Sequence, residues 1–187
     1  ILSKKTLLSY GENNSLLMSH ASHHVPGIKF STGSLGHGLP VAIGSALSAK
    51  KDKNNRKVFV LISDGELNEG TTWEALMFAA HHKLNNLCVI IDYNKLQSLT
   101  FVSETIKIEP LKKKISSFGC EVKNINGHNI LQLKKALKLK NKNKPRVIIA
   151  NTIKGKGVSF MENNIAWHYK SPNARELKKA LKEVNNA

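Results

Sequence analysis

Two short polar motifs stand where chemistry is most readily built. Ser63-Asp64-Gly65 closes an apolar run at 58–62, and Asp92-Tyr93-Asn94 closes another at 87–91. An Asp carboxylate, an Asn amide oxygen and a backbone carbonyl are hard oxygen ligands. They suit Mg²⁺ or Ca²⁺ and leave coordination positions for phosphate oxygens and water. Gly65 lets the backbone turn tightly beside such an ion. One strand–helix–strand unit fills the interval between Asp64 and Asn94. A right-handed crossover sets its two strands side by side or nearly so, and both polar groups then meet at one sheet edge. Taken alone, the same residues serve equally as a helix cap at Asp64 and a turn at Asn94. A third run, Ser31-Thr32-Gly33-Ser34-Leu35-Gly36-His37-Gly38, precedes a helical pattern. Its glycines permit close backbone approach to a ligand, and the helix start offers free N–H groups to an anion.

The elements that must position these motifs follow from periodicity. Runs at 58–62, 87–91 and 146–151 read as buried strands of a parallel sheet, with 121–125 a weaker strand. Helical patterns occupy 38–50, 71–83, 129–142 and 175–185. The third places Ile130, Leu133 and Leu137 on one face, and the fourth places Leu177, Leu181 and Val184 on one stripe. The alternation predicts an α/β fold: a doubly wound parallel sheet with helices on both faces and ligands at the C-terminal strand ends. Residues 1–26 are irregular and polar. Residues 154–171 form a second long loop, a length usually associated with function or disorder.

The 187 residues suit a single domain, 1–187, with one buried core. No apolar run approaches the roughly 20 residues that span a bilayer, and no signal peptide opens the chain. Cys88 and Cys120 do not suggest a disulfide framework; Cys88 reads as a small buried hydrophobe in a reducing compartment. Together these predict a cytoplasmic protein without a membrane partner. The chain opens on Ile1 rather than Met, so its natural N-terminus is expected to be missing. Lys and Arg number 29 against 13 Asp and Glu, a net charge of +16. The lysines are spread along the chain, and aromatics hardly interleave with them, so the stacking-plus-charge pattern of single-strand binders is absent. The surplus reads as a solvated surface that also favours anionic substrates, and a nucleic-acid partner is not expected.

The run Ser63-Asp64-Gly65-Glu66-Leu67-Asn68-Glu69-Gly70, followed by Asp92-Tyr93-Asn94, resembles the signature of thiamine-diphosphate enzymes. Ser31–Gly38 resembles the transketolase loop Thr-Gly-Pro/Ser-Leu-Gly-Gln-Gly, with Pro26-Gly27 upstream. Thr152-Ile153-Lys154-Gly155-Lys156-Gly157-Val158 with Trp167-His168 resembles a third transketolase segment. The resemblance covers nearly all of 20–170 and is strongest to the short, split transketolases. It implies the diphosphate-binding (PP-type) domain fold, thiamine diphosphate as cofactor, and Mg²⁺ or Ca²⁺ held by Asp64, Asn94 and the Leu96 carbonyl. It sets Gly33, Ser34, Leu35, Gly65 and Glu69 at the cofactor, Glu69 matching an acidic position near the dimer contact. His20 falls on a substrate-channel histidine, with His23 and His24 as competitors, and His168 on another active-site histidine. The departures are Ser63 for Gly, His37 for Gln, Ser19-His20-Ala21 for Gly-His-Pro, and Tyr93 between Asp92 and Asn94, which leaves Asp92 without a transferred role.

The activity so implied is transfer of a two-carbon ketol unit between sugar phosphates. The activating glutamate of that family lies in a pyrimidine-binding domain, and its N-terminal helices are also missing here. A C-terminal subunit carrying the pyrimidine domain, in a hetero-oligomer, is therefore the expected partner. A deoxyxylulose-phosphate synthase and a 2-oxo-acid dehydrogenase α subunit share the metal motif but fit the other two segments less well. A non-catalytic paralogue would keep the fold without cofactor affinity.

Overall fold

Three strands of the sheet, Val58–Ser63, Leu87–Tyr93 and Arg146–Asn151, are apolar along most of their length, while the outer strand Glu121–Asn126 is mixed. This is the pattern of a parallel sheet whose middle is covered on both faces. The computed structural model describes residues 2–139 and 143–186. In chain order its elements are α1 (Lys4–Leu8), α2 (Gly38–Lys51), β1 (Val58–Ser63), α3 (Gly70–His81), β2 (Leu87–Tyr93), α4 (Val102–Thr105), α5 (Leu111–Ser117), β3 (Glu121–Asn126), α6 (Ile130–Leu137), β4 (Arg146–Asn151) and α7 (Ala174–Asn185). Single 3₁₀ turns occupy Gly65–Asn68 and Ile165–His168. The strands are all parallel, in the order β1-β2-β4-β3.

Period-2 alternation sorts the side chains to two faces. On one, Val89, Ile91, Val147 and Ile149 pack with Leu39 and Ile43 of α2, Leu76 of α3, and Leu111 and Ile115 of α5. The residues Ala42, Ala46, Ala75 and Ala79 keep α2 and α3 close to this core. Leu39, Leu76 and Leu87 are fully buried, each worth about 1.5–3 kcal/mol of transfer free energy. On the other face Cys88, Ile148 and Ala150 meet Ala136 of α6. That second layer does not extend over β1, where Phe59 is 50% and Leu61 70% exposed.

Three expectations are corrected. The third helix was expected over 129–142, but α6 ends at Leu137, and 140–142 lie outside the described residues. The cause is Arg146: its Nη1 donates to the carbonyls of Ala136 (2.7 Å) and Lys138 (2.6 Å), drawing the chain out of the helix. Its expected face is also only partly inward, with Ile130 61% exposed and Ala136 buried instead. Similarly, the stripe of α7 forms, but Leu177, Leu181 and Val184 are all exposed and Ala180 is the buried residue. Residues 2–26 are irregular apart from α1, and α4 and α5 were not expected. Both cysteines are buried and free. Among the described residues no helix is long and apolar enough to cross a membrane.

Candidate functional site

Parallel pairing of β1 with β2 sets Ser63 opposite Asp92. The next residues of the two strands therefore leave the sheet at one edge. Asp64 is 2% exposed. Its Oδ2 accepts the Lys95 N–H at 2.8 Å, and the Asn94 Oδ1 accepts the Leu96 N–H at 2.9 Å. Lys95 adopts a left-handed conformation (φ +67°), which bends 94–96 back toward the acid. The structure thus brings Asp64, Gly65, Asn94 and Leu96 into one corner.

Burial pushes the Asp64 carboxyl up to about 6, with the charge of Asp92 adding to it; the Lys95 and Gly65 N–H groups and the charge of Lys154 oppose the shift. Among the described residues the acid is in no ion pair, and no three His, Cys, Asp or Glu side chains cluster as a metal cage. A buried carboxylate whose charge is opposed in this way, hydrogen-bonded to the turn that carries Asn94, is a hard oxygen donor and fits a hard divalent cation better than a soft one.

The glycine-rich loop lies against the turn that follows Asp64. The Gly36 N–H donates to Glu66 Oε2 at 2.6 Å, and the Thr71 hydroxyl donates to the Gly36 carbonyl at 2.9 Å. Gly36 sits at φ +79°, and a Cβ there would lie 2.5 Å from Thr71 Oγ1 and 2.9 Å from the Glu69 Cβ. Glu69 thus packs on the loop through its stem, at the start of α3 and without a side-chain cap bond. Gly33, at φ +115°, has no room for a side chain because the His20 ring would be 2.6 Å from its Cβ. Ser34 and Leu35 face solvent at the mouth of a cleft of about 700 Å³ that runs along β1 past Val41, Phe59 and Leu61. His37 folds back on its own loop, Nδ1 lying 2.9 Å from the Leu35 carbonyl.

Of the competing histidines, His20 is the one packed beneath Gly33. His23 instead pairs with Ser31 (Nδ1 to Oγ 2.7 Å) and straps 20–23 to the loop together with the Thr32 N–H, which donates to the Ala21 carbonyl. His168 lies on the 3₁₀ turn Ile165–His168, with Lys154 Nζ, whose charge also reaches Asp64, 3.1 Å from its Nδ1. Burial and then the Lys154 charge hold its pKa below the ordinary imidazole value. Lys156 pairs with Glu162 at 3.1 Å, which occupies the second loop lysine.

Sequence reasoning missed four residues that frame these corners. Glu66 and Thr71 grip Gly36. Asp92, left without a role, accepts the Thr152 hydroxyl and so ties β2 to the loop after β4. His128 accepts the Ile153 N–H at 2.8 Å through Nε2 and anchors the same loop. The available signal was position: Asp92, Thr152 and His128 all lie at or just beyond C-terminal strand ends, where this fold gathers ligands.

Comparison with known proteins shows the family and the fold. Residues 2–185 match the family model described as the transketolase, thiamine diphosphate binding domain. The chain is 44% identical over 182 residues to an apulose-4-phosphate transketolase subunit of Actinobacillus succinogenes, covering 96% of this chain and 66% of that protein. It is 38% identical to the 6-deoxy-6-sulfo-D-fructose transketolase subunit SqwG of a Clostridium species, covering 90% and 62%. It superposes on the crystal structure of the Campylobacter jejuni transketolase with a TM-score of 0.92 at 32% identity, over 98% of this chain and 30% of that one. The chain thus spans just under two thirds of these subunits and about a third of the full-length enzyme. On the strength of that match from end to end, it belongs to the transketolase family and carries its thiamine-diphosphate-binding domain.

Proposed function

We propose that the polypeptide to which this chain belongs transfers a two-carbon ketol unit between sugar phosphates, as the diphosphate-binding subunit of a split transketolase. Its partner in this reading is a separate C-terminal subunit with the pyrimidine-binding domain. The observation that carries the reading is the corner where Asp64, Asn94 and Leu96 converge beside the clamped Gly33–Gly36 loop. The names of the relatives as transketolase subunits support the split arrangement. Sugar phosphates are held inside cells, and a cytoplasmic setting belongs to the same reading.

When bound, thiamine diphosphate supplies the reactive carbon and the electron sink through which a ketose C2–C3 bond is cleaved and remade. The residues of this chain bind and orient. Asp64, Asn94 and the Leu96 carbonyl would hold Mg²⁺, or Ca²⁺, against the diphosphate oxygens. Gly33, Ser34, Leu35 and Gly65 would line the cofactor, with Glu69 behind the loop. His168, kept neutral near pH 7, can donate or accept one proton at a hydroxyl or phosphate oxygen. His20, exposed against Gly33, would take the substrate-channel position in this reading.

The test is a ketose-to-aldose transfer assay with Mg²⁺ and thiamine diphosphate, run with the chain alone, with a pyrimidine-domain partner, and with pyruvate replacing the ketose. Turnover only with partner and ketose is expected. Turnover by the chain alone contradicts the split arrangement, and turnover of pyruvate contradicts the substrate class.

A further inference from the structure

We infer that Glu66 and Thr71 are a positioning pair that locks the cofactor-lining loop to the metal corner, so that the two halves of the site are set by one rigid turn. The inference rests on the cofactor reading above and gives a role to two residues to which the resemblance assigned none.

The loop's N-terminal half is strapped to 20–23, where His20, Ala21 and His23 are themselves exposed. Residues 31–35 and 37 are all exposed, and Gly36 is the buried residue among them. Gly36 is gripped at both of its peptide groups, its N–H by the Glu66 carboxylate at 2.6 Å and its carbonyl by the Thr71 hydroxyl at 2.9 Å. The left-handed φ of +79° and the missing Cβ are what let Thr71 and the Glu69 stem come so close. The grip is as rigid as its base. The Glu66 carbonyl accepts the hydroxyl of fully buried Thr72 at 2.7 Å, and the indole N–H of Trp73 donates to the Leu67 carbonyl at 2.9 Å. This base is the 3₁₀ turn Gly65–Asn68, which begins at the residue after Asp64. A hydrogen bond to an ionised acceptor is roughly twice as strong as a neutral one. The carboxylate also lies just before α2, where the helix N-terminus favours negative charge. Displacement of the loop by even 1 Å would move Gly33, Ser34 and Leu35 away from a ligand anchored at Asp64, an error that oriented catalysis tolerates poorly.

The experiment compares wild type with Glu66→Ala, Glu66→Gln, Thr71→Val and Thr71→Ser. Three readouts are taken on the purified chain: amide hydrogen exchange across 31–38, binding of Mn²⁺ alone as metal probe, and titration with thiamine diphosphate at saturating Mg²⁺. Exchange at Gly36 is expected to rise at least tenfold in Glu66→Ala. Thiamine diphosphate affinity should fall by about tenfold or more, while Mn²⁺ affinity stays within twofold. Glu66→Gln and Thr71→Ser should recover most of the loss, and Thr71→Val should reproduce part of it with the fold intact. Unchanged loop exchange in both Glu66→Ala and Thr71→Val overturns the inference. A parallel fall in Mn²⁺ affinity also overturns it, because the pair then supports the whole turn rather than the loop. If wild type binds no thiamine diphosphate even with its pyrimidine-domain partner present, the cofactor reading fails, and the exchange data still decide the clamp.

Discussion

The Lys95 backbone N–H donates to the Asp64 carboxylate at 2.8 Å, so the acid at the end of β1 is held by the turn that ends β2. The bond joins two segments far apart in sequence and brings the Asn94 amide and the Leu96 peptide beside a carboxylate that is 2% exposed. Burial outweighs the opposing N–H groups and the Lys154 charge and leaves that carboxylate with a pKa of about 6, a cost that a divalent cation would remove.

Asp64→Asn should therefore separate ligand binding from folding. At pH 8 the metal-free variant should melt no lower than wild type, because an ionised buried group has been neutralised. Mg²⁺ and thiamine diphosphate at about 100 times their dissociation constant should stabilise wild type by about 2.7 kcal/mol, roughly 5–10 °C for a chain of this size. EDTA should abolish the gain, and the variant should show almost none of it. Differential scanning calorimetry checks this; a full shift in Asp64→Asn would remove the acid from the metal site.

Lys154→Met should raise the pKa of His168. Burial is the larger cause of the depression and the lysine charge the second, so the variant should recover only part of the distance to an ordinary imidazole. Titration of the imidazole carbons by NMR measures the change. Any pH limb of activity that reports His168 should move upward with it.

Arg146→Met should cost about 2–3 kcal/mol by chemical denaturation, since it frees two helix-end carbonyls and leaves Glu121 with only the half-exposed Lys123 as its ion-pair partner among the described residues. Glu121→Gln should cost less and should change the acid limb. Burial raises the Glu121 carboxyl, but hydrogen bonds and charge from Arg146 and Lys123 outweigh it, and the net pKa lies below that of an ordinary glutamate. Its stabilisation is present in full above the unfolded carboxylate range and is lost as the pH falls through the lower folded value. Wild type should lose stability in that acid window, and Glu121→Gln should lose correspondingly less.

Phe59→Lys with Leu61→Lys should leave the fold within about 0.5 kcal/mol of wild type, because both side chains are at least half exposed. The double variant should also reduce concentration-dependent association in sedimentation velocity, since an apolar, unpaired outer strand is a template for other chains. A loss of stability well beyond that figure would mean that β1 is covered in solution.

How much of this was legible depends on the range of the interactions involved. The central strands were readable because burial on both faces forces continuous apolar runs such as Cys88–Ile91 in β2, β1 because it is apolar as far as Ser63, and the polar corner at Asp64 and Asn94 because polar residues break those runs at their C-terminal ends. The helices α4 and α5 were not. The four residues of Val102–Thr105 and the seven of Leu111–Ser117 are too few for a 3.6-residue period to emerge. Likewise the end of α6 is set by Arg146, a residue beyond the helix, which no local pattern encodes.

By itself the amino-acid order determined the α/β class, the strands, and the candidate residues Asp64, Asn94 and Gly33, because each is written in local periodicity or in a contiguous motif. Tertiary structure alone decided that His20 rather than His23 lies under Gly33, that Lys154 faces His168, and that Glu66 reaches Gly36. Such pairings depend on which segments the sheet brings together. A carboxylate thirty positions from its hydrogen-bond donor leaves no periodic trace in the chain.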